Sequence, residues 1–254
     1  MRTRSRHGGR HELGQNFLVH TLTIDRIVTL VAATDGAILE IGAGGGALTA
    51  GLASLGRELT AIDIDERRIA ALRRAHPAVR VEHADALRHP LDSPVIAGNI
   101  PFHLTTPILR RLLRRPGWRD AVLLTQWEVA RKRAGVGGGT MLTAQAAPWF
   151  EFTLHGRVPS HAFRPAPSVD GGVLSITRRT SPLVPVSQRR AYERFAGDVF
   201  TARGRGMASI LTTVCRSPRS VVRRHLAQAG IGDDALPRDL APHQWADLWA
   251  LRTG

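Results

Sequence analysis

The first half of the chain alternates between short apolar blocks and stretches with helical periodicity. The apolar blocks are AILEIGAGG (37–45), ELTAIDI (58–64), VRVEHAD (79–85), SPVIAGNI (93–100) and DAVLLTQ (120–126). The first is an apolar run ending in glycines, which predicts a buried strand, and the others predict four further short strands. The intervening stretches GALTAGLASLG (46–56), DERRIAALRRA (65–75) and TTPILRRLLRR (105–115) predict helices. Gly56 closes the first of these, Asp65 caps the second, and Pro107 fits the first turn of the third. Upstream, TLTIDRIVTLVAA (21–33) places Leu22, Ile27, Leu30 and Val31 near helical spacing. Downstream, WEVARKRAG runs as a helix into the glycines of 136–140. A short helix and the strand FEFTLHG follow within 141–156, and GVLSI supplies one more strand, expected antiparallel at the end of the sheet.

Strands that alternate with helices imply βαβ units and a mostly parallel sheet. The pattern lapses after SPLVP (181–185), where QRRAYERFAGDVF, MASILTTVC, RSVVRRHLAQAG and PHQWADLWALR all read as helices. The expected organisation is a flexible basic arm (1–13), an α/β domain with a seven-stranded sheet (14–180) and a small all-helical domain (181–254). Trp245 and Trp249, four apart in the last helix, read as core. Hydrophobic residues make up 43% of the 254, enough for a sizeable core.

Charge narrows the partners. The formal net charge of +14 points to a polyanion. Lys132 is the only lysine, so arginine carries almost all of this charge, and a guanidinium can both grip phosphate with two donors and stack on a base. Cys215 is the only cysteine, so neither an internal disulfide nor a cysteine zinc cluster can form, which suits a reducing cytoplasm. The basic N-terminus lacks the apolar segment of a secretory signal. No apolar run approaches the roughly 18 residues of a membrane helix. The eleven histidines show no metal-ligand spacing.

Candidate chemistry gathers at the strand ends. Gly42, Gly44 and Gly46 follow the first buried strand, where a turn without side chains lets backbone approach a ligand. A tight turn alone is the plainer reading of those glycines. Asp63 ends the next strand, about 20 residues past Gly42, where a carboxylate can accept from both ribose hydroxyls. Asp85, in the same position on the third strand, can accept from an adenine amine; a solvated helix cap is its plainer reading. Asn99 ends the fourth strand in GNIPFHLTTP (98–107). An Asn side-chain oxygen and a nearby backbone carbonyl can accept both protons of an exocyclic amine. Pro101 stiffens the turn, and Phe102 offers a flat face to a base. Acceptors that draw those protons toward tetrahedral geometry expose the nitrogen lone pair to an electrophilic methyl, with no strong base required.

GQNFL, EIGAGGG, AIDID, HADAL, GNIPFHLTTPIL and FRPAPSVD occur in this order over residues 10–180. In this the chain resembles the rRNA adenine N6-methyltransferases, and within them the erythromycin-resistance (Erm) branch. The small-subunit branch more often has Leu and Tyr where this chain has Ile100 and Phe102. The resemblance implies a Rossmann-like class I methyltransferase that uses S-adenosylmethionine to methylate an adenine of 23S rRNA, conferring macrolide, lincosamide and streptogramin B resistance. It implies that Asn16 and Leu18 lie over the methionine end of the cofactor and that Gly42 and Gly44 line its turn. Asp63 would hold the ribose with Ile64 against the adenine, and Asp85 would take the adenine amine with Ala86 beside the ring. Asn99 and the Ile100–Pro101 backbone would receive the target amine, Phe102 would stack on the target base, and Phe163 would form a second wall. Position 102 is usually Tyr in the family; Phe keeps the stacking face and loses the hydroxyl.

A target adenine must leave its stack before its N6 can be reached, which favours single-stranded or junction RNA. Arg131, Lys132 and Arg133, near the 136–140 glycines, are the expected phosphate grip, with Arg164 alongside. The expected substrate is 23S rRNA in a protein-free or precursor form, and the expected protein is a cytoplasmic monomer. Rival readings are a 16S rRNA adenine dimethyltransferase, a non-catalytic rRNA-binding factor on the same fold, and a nicotinamide-dependent dehydrogenase suggested by the loose Gly42-x-Gly44-x-x-Ala47 pattern.

Overall fold

The computed structural model describes residues 16–253. The basic arm expected at 1–13 lies outside them. In chain order the elements are β1 (Phe17–Leu18), α1 (Thr21–Ala32), β2 (Ile38–Ile41), α2 (Ala47–Ala53), β3 (Leu59–Asp63), α3 (Glu66–Ala75), β4 (Arg80–His83), β5 (Val95–Asn99), α4 (Thr105–Arg114) and β6 (Asp120–Gln126). Then follow α5 (Trp127–Arg133), α6 (Met141–Ala146), β7 (Phe150–Val158), β8 (Phe163–Arg164), β9 (Gly171–Arg178), α7 (Arg189–Thr201), α8 (Gly206–Cys215), α9 (Arg219–Gln228) and α10 (Pro242–Thr253).

Seven strands form one sheet in the order β4-β3-β2-β5-β6-β9-β7. The pairs β3/β4, β2/β3, β2/β5 and β5/β6 are parallel. The chain runs outward from β2 through β3 to β4, then returns to the other side of β2 with β5. This reversal opens a crevice beyond the carboxyl ends of β2 and β5. The strand from GVLSI is not at the sheet's end as expected: β9 inserts between β6 and β7, and β7 takes the edge.

The central strands β2, β5 and β6 are almost all apolar and buried, as for strands covered on both faces, with Ile38, Leu39, Ile41, Val95, Ile96 and Ala97 buried. Helix α4 shows the amphipathic rule clearly. Ile108, Leu109, Leu112 and Leu113 are buried while Arg110 and Arg114 are exposed, and truncating one such leucine to alanine costs about 2–5 kcal/mol. Helix α1 buries Ile27 and Val31 and packs Leu30 on the core as read in the sequence, but not Leu22. Leu22 is 72% exposed, and the buried row is Thr23, Ile27 and Val31. The Thr23 hydroxyl is accommodated because it meets His20 Nδ1 at 2.8 Å.

By their contacts the residues fall into two compact units. The first holds residues up to Ala130 with Leu154–Ser175; the second holds Arg131–Thr153 and the chain from Ile176 onward. The boundary expected near 180 lies close to the last crossing, but residues 131–153 group with the helical tail. Hydrogen bonds show why. The Tyr192 hydroxyl donates to the Ala144 carbonyl at 2.9 Å, and Gln145 Nε2 donates to the Glu193 carbonyl at 2.8 Å. The core of this second unit is aromatic: Tyr192 packs edge-on against Trp149 and Trp249, with centroids 5.3 and 5.8 Å away. Trp245 and Trp249 are buried, as expected of core residues.

Candidate active site

The crevice lies within the first unit. Its floor is the glycine turn after β2. Gly44 has φ of +55°, and a Cβ there would come within 3.3 Å of the Phe17 ring, so the position admits no side chain without strain. Gly98 is demanded for another reason. A Cβ there would sit 2.2 Å from the Ile41 carbonyl oxygen, so only glycine lets the end of β5 press against the end of β2. That close approach brings Asn99 beside the turn. Asn16, Phe17, Gly42, Gly44, Asp63 and Asn99–Phe102 line one recess, with about 370 Å³ of empty volume. Gly42, Asp63, Ile64, Asp85, Ala86 and Leu104 are among the residues lining an adjoining recess of about 460 Å³.

The second recess has the character of an adenosine pocket. Asp63 is buried and accepts the Gly44 N–H through Oδ2 and the Asp65 N–H through Oδ1, each at 2.8 Å. A carboxylate has about four acceptor positions, so two remain for a ribose. Asp85 lies two residues beyond β4 and accepts the Leu87 N–H at 2.8 Å. Ile64 is a large aliphatic residue left 52% exposed, and it lines the recess with Ala86 and Leu104. An exposed branched side chain beside two oriented carboxylates fits an adenine ring and its ribose. No group of three or more potential metal ligands occurs among the described residues.

Asn99 is tied to the strap that crosses the glycine turn. Its Nδ2 donates to the Asn16 carbonyl at 2.8 Å. This hydrogen bond sets which end of the amide faces the strap and leaves Oδ1 as an acceptor for another group. The strap is β1, which pairs antiparallel with β8, Phe17 opposite Arg164 and Leu18 opposite Phe163. The Arg68 guanidinium covers the Phe17 ring at 4.0 Å. Asn16 therefore lines the crevice as expected, and Phe17 lines it too. Leu18 is 3% exposed and joins the apolar core under the sheet, and it also lines a neighbouring recess with Phe17, the glycine turn and Asn99. Phe102 packs edge-on against Phe163 with centroids 5.8 Å apart. Phe163 is 1% exposed, so it buttresses Phe102 from behind rather than offering a second open wall. Arg164 is exposed beside the strap.

Two residues of consequence gave no sign in the sequence reading. Glu40 stands in the middle of β2 at 1% exposure. Burial pushes its carboxyl up to about 7, against the lowering effect of the Thr49 hydroxyl, which donates to Oε2 at 2.6 Å; the Asp63 charge adds to the rise. The available signal was a carboxylate inside an otherwise apolar strand. Arg111 donates from Nη1 to the Ala86 carbonyl at 3.1 Å and from Nη2 to the Arg88 carbonyl at 2.9 Å, so it ties down the loop that carries Asp85.

The expected phosphate grip is not open as a set. Arg131 bends back to donate to the Val136 carbonyl at 3.2 Å, and Arg133 donates to the Thr140 hydroxyl. Both organise the glycine loop, and of the three only Lys132 is exposed. All three belong to the second unit and line neither recess.

A family model described as "Ribosomal RNA adenine dimethylase" matches residues 6–251. The rRNA adenine N-6-methyltransferase of Corynebacterium diphtheriae is 55% identical over 207 residues, covering 80% of this chain and 82% of that protein. Mycinamicin-resistance protein MyrB of Micromonospora griseorubida is 48% identical over 249 residues, covering 96% of this chain and 79% of the relative. The crystal structure of the 23S rRNA methyltransferase ErmE superposes with a TM-score of 0.85 at 34% identity, over 94% of this chain and 100% of that one. By this match over nearly its whole length, the chain belongs to the ribosomal RNA adenine dimethylase family.

Proposed function

We propose that this chain is an S-adenosylmethionine-dependent rRNA adenine N6-methyltransferase of Erm type. It modifies an adenine of 23S rRNA and so confers resistance to macrolide, lincosamide and streptogramin B antibiotics. The observation that carries this reading is the Asn99 amide, held by the Asn16 carbonyl at 2.8 Å where the glycine turn meets the NIPF corner. S-adenosylmethionine, bound along Gly42, Gly44, Asp63, Ile64, Asp85 and Ala86, supplies an electrophilic methyl. Asn99 Oδ1 and the Ile100 carbonyl, stiffened by Pro101, accept the two N6 protons of an everted adenine. That geometry turns the nitrogen lone pair toward the methyl carbon. The cofactor's sulfonium would supply the methyl and keep the thioether as leaving group, and the amine's surplus proton would leave to water. Phe102 stacks on the adenine, and its ring orientation is set by Phe163 behind it.

RNA reaches this corner as a single strand or junction, because extrusion from a duplex costs a few kcal/mol that a loop does not demand. Arg164 and Lys132 are the exposed cations of the expected set, and Arg164 is the one beside the strap. The substrate form is protein-free or precursor 23S rRNA. The enzyme acts in the cytoplasm as a monomer; no helix among the described residues is long and apolar enough to cross a membrane. Incubation with labelled S-adenosylmethionine and protein-free 23S or 16S rRNA, followed by primer extension, tests the reading. The expected result is label and a single stop on 23S rRNA. Label confined to 16S rRNA would assign the chain to the small-subunit branch instead.

A further inference from the structure

Next to the target corner, the sheet edge carries a second ring. Strand β6 stops at Gln126, and Trp127 opens α5. Trp118, Trp149, Trp245 and Trp249 are buried, whereas Trp127 is half-buried. The Arg157 guanidinium lies over the Trp127 ring, 5.6 Å from its centroid. Asp170 fixes both partners. Its Oδ2 accepts from Arg157 Nε at 2.6 Å, and its backbone carbonyl accepts the Trp127 N–H at 2.8 Å. Its other oxygen accepts the Ser160 N–H at 2.8 Å. The Ser160 hydrogen bond and the Arg157 cation hold the Asp170 carboxyl below the usual carboxylate range, so the pair stays ionised at neutral pH. Even so, the Arg157 side chain remains 61% exposed.

The position relative to Asn99 follows from register. Asn99 pairs with Leu124. Trp127 comes three residues later, roughly 10 Å farther along at about 3.3 Å per residue. The ground between is continuous packing. Phe102 rests on Phe163, whose Cζ lies 3.0 Å from where a Cβ of Gly171 would stand, and a Cβ at Gly172 would come within 3.2 Å of the Trp127 ring. A guanidinium over an indole, bound to a carboxylate through Nε and still exposed, can offer a face to a base. Such guanidinium planes take unstacked bases in single-stranded RNA.

We propose that Arg157, carried on Trp127 and pinned by Asp170, is the platform on which a base neighbouring the target adenine stacks, a flanking-nucleotide subsite of the single-stranded substrate. The proposal rests on Asn99 marking the point of adenine methylation. It assigns the guanidinium plane rather than its charge as the recognition element, which separates it from a simple phosphate contact.

The test uses the whole enzyme and a 23S rRNA hairpin containing the target, with the base on either side of the adenine removed in turn. Wild type is expected to lose about tenfold in kcat/KM on one of the two abasic hairpins. Arg157→Lys keeps a cation near Asp170 but not the plane. It is expected to lose about tenfold on the intact hairpin and nothing further on the abasic one, with S-adenosylmethionine affinity and melting temperature unchanged. Arg157→Ala should behave as Arg157→Lys does. Full activity of Arg157→Lys, or equal sensitivity of wild type and variant to the missing base, overturns the proposal. Fluorescence gives a readout independent of methyl transfer. Quenching by the intact hairpin should disappear in Trp127→Phe and weaken with the abasic hairpin. Quenching that persists without any methylation speaks against the catalytic reading of Asn99, and methylation whose flank dependence ignores Arg157 speaks against the subsite alone.

Discussion

On the cofactor side of the crevice the carboxylates are already committed to nearby donors. Asp63 holds the Gly44 and Asp65 N–H groups, Asp85 holds the Leu87 N–H, and Glu40 holds the Thr49 hydroxyl. On the target side only Asn99 is tethered in this way; around it stand Pro101, Phe102 and the buried Phe163. One half positions polar groups through the backbone, which suits a ligand that is always the same. The other half is a rigid apolar corner with one oriented amide. It suits a base that must first leave its stack and be gripped by shape.

The sharpest way to break that comparison is Asn99→Ala. If the amide acts on the target and only steadies the strap, kcat falls on the order of 10³-fold while cofactor affinity changes several-fold. Single-turnover kinetics beside calorimetric titration would separate the two. A collapse of both together would mean that the halves are not independent.

Glu40 offers the next largest effect, on stability rather than rate. Its carboxyl titrates at about 7 in the fold against 4.5 when unperturbed. The folded protein therefore binds more protons than the unfolded chain between those values. This contribution is fully present below pH 4.5 and is lost as pH rises through 7, a change on the order of 3 kcal/mol. Glu40→Gln cannot titrate but can still accept from Thr49. Without cofactor, its stability relative to wild type should climb by that amount between pH 4 and 8. A difference that stays flat with pH in thermal or urea melts would refute the buried titration.

These examples show what the sequence made legible. The parallel strands were readable because burial on both faces leaves unbroken apolar runs, and Asp63, Asp85 and Asn99 were readable because strand ends at one sheet edge converge. The first turn of α1 was not: Leu22 and Thr23 are adjacent, and a threonine paired with His20 can take the inward place. Arg131 and Arg133 also bond to the glycine loop, to a backbone carbonyl and a threonine hydroxyl, which the sequence did not show. Any arginine has such partners within reach, and nothing in its neighbours announces the choice. Phe163 looked available for the same kind of reason: only the pairing of β1 with β8 turns it inward.

Asp63→Ala comes next in size. It removes the acceptor for two backbone N–H groups and, with it, the ribose ligand proposed above. Losing a buried acceptor costs about 1–3 kcal/mol. Cofactor affinity should therefore fall roughly ten- to a hundredfold, with kcat at saturating cofactor less affected. If kcat dropped as far as in Asn99→Ala, the glycine turn would be shaping the target corner as well.

Arg111 should give the smallest effect, and it discriminates most finely. It stands on α4 with Arg110 and Arg114, in a run of arginines that could meet phosphate. Its two hydrogen bonds instead run to the Ala86 and Arg88 carbonyls, twenty-five and twenty-three residues away in the chain. The guanidinium thus acts as a brace behind the adenine end of the cofactor pocket. Arg111→Ala should loosen that loop and weaken cofactor binding several-fold, in line with one or two partly exposed hydrogen bonds of about 1 kcal/mol each. RNA affinity should keep its salt dependence, because no phosphate contact is lost. Arg110→Ala provides the contrast, since its side chain is exposed on the same helix. A shallower salt slope for Arg111→Ala with unchanged cofactor affinity would return this residue to the RNA and leave the Asp85 loop to hold itself.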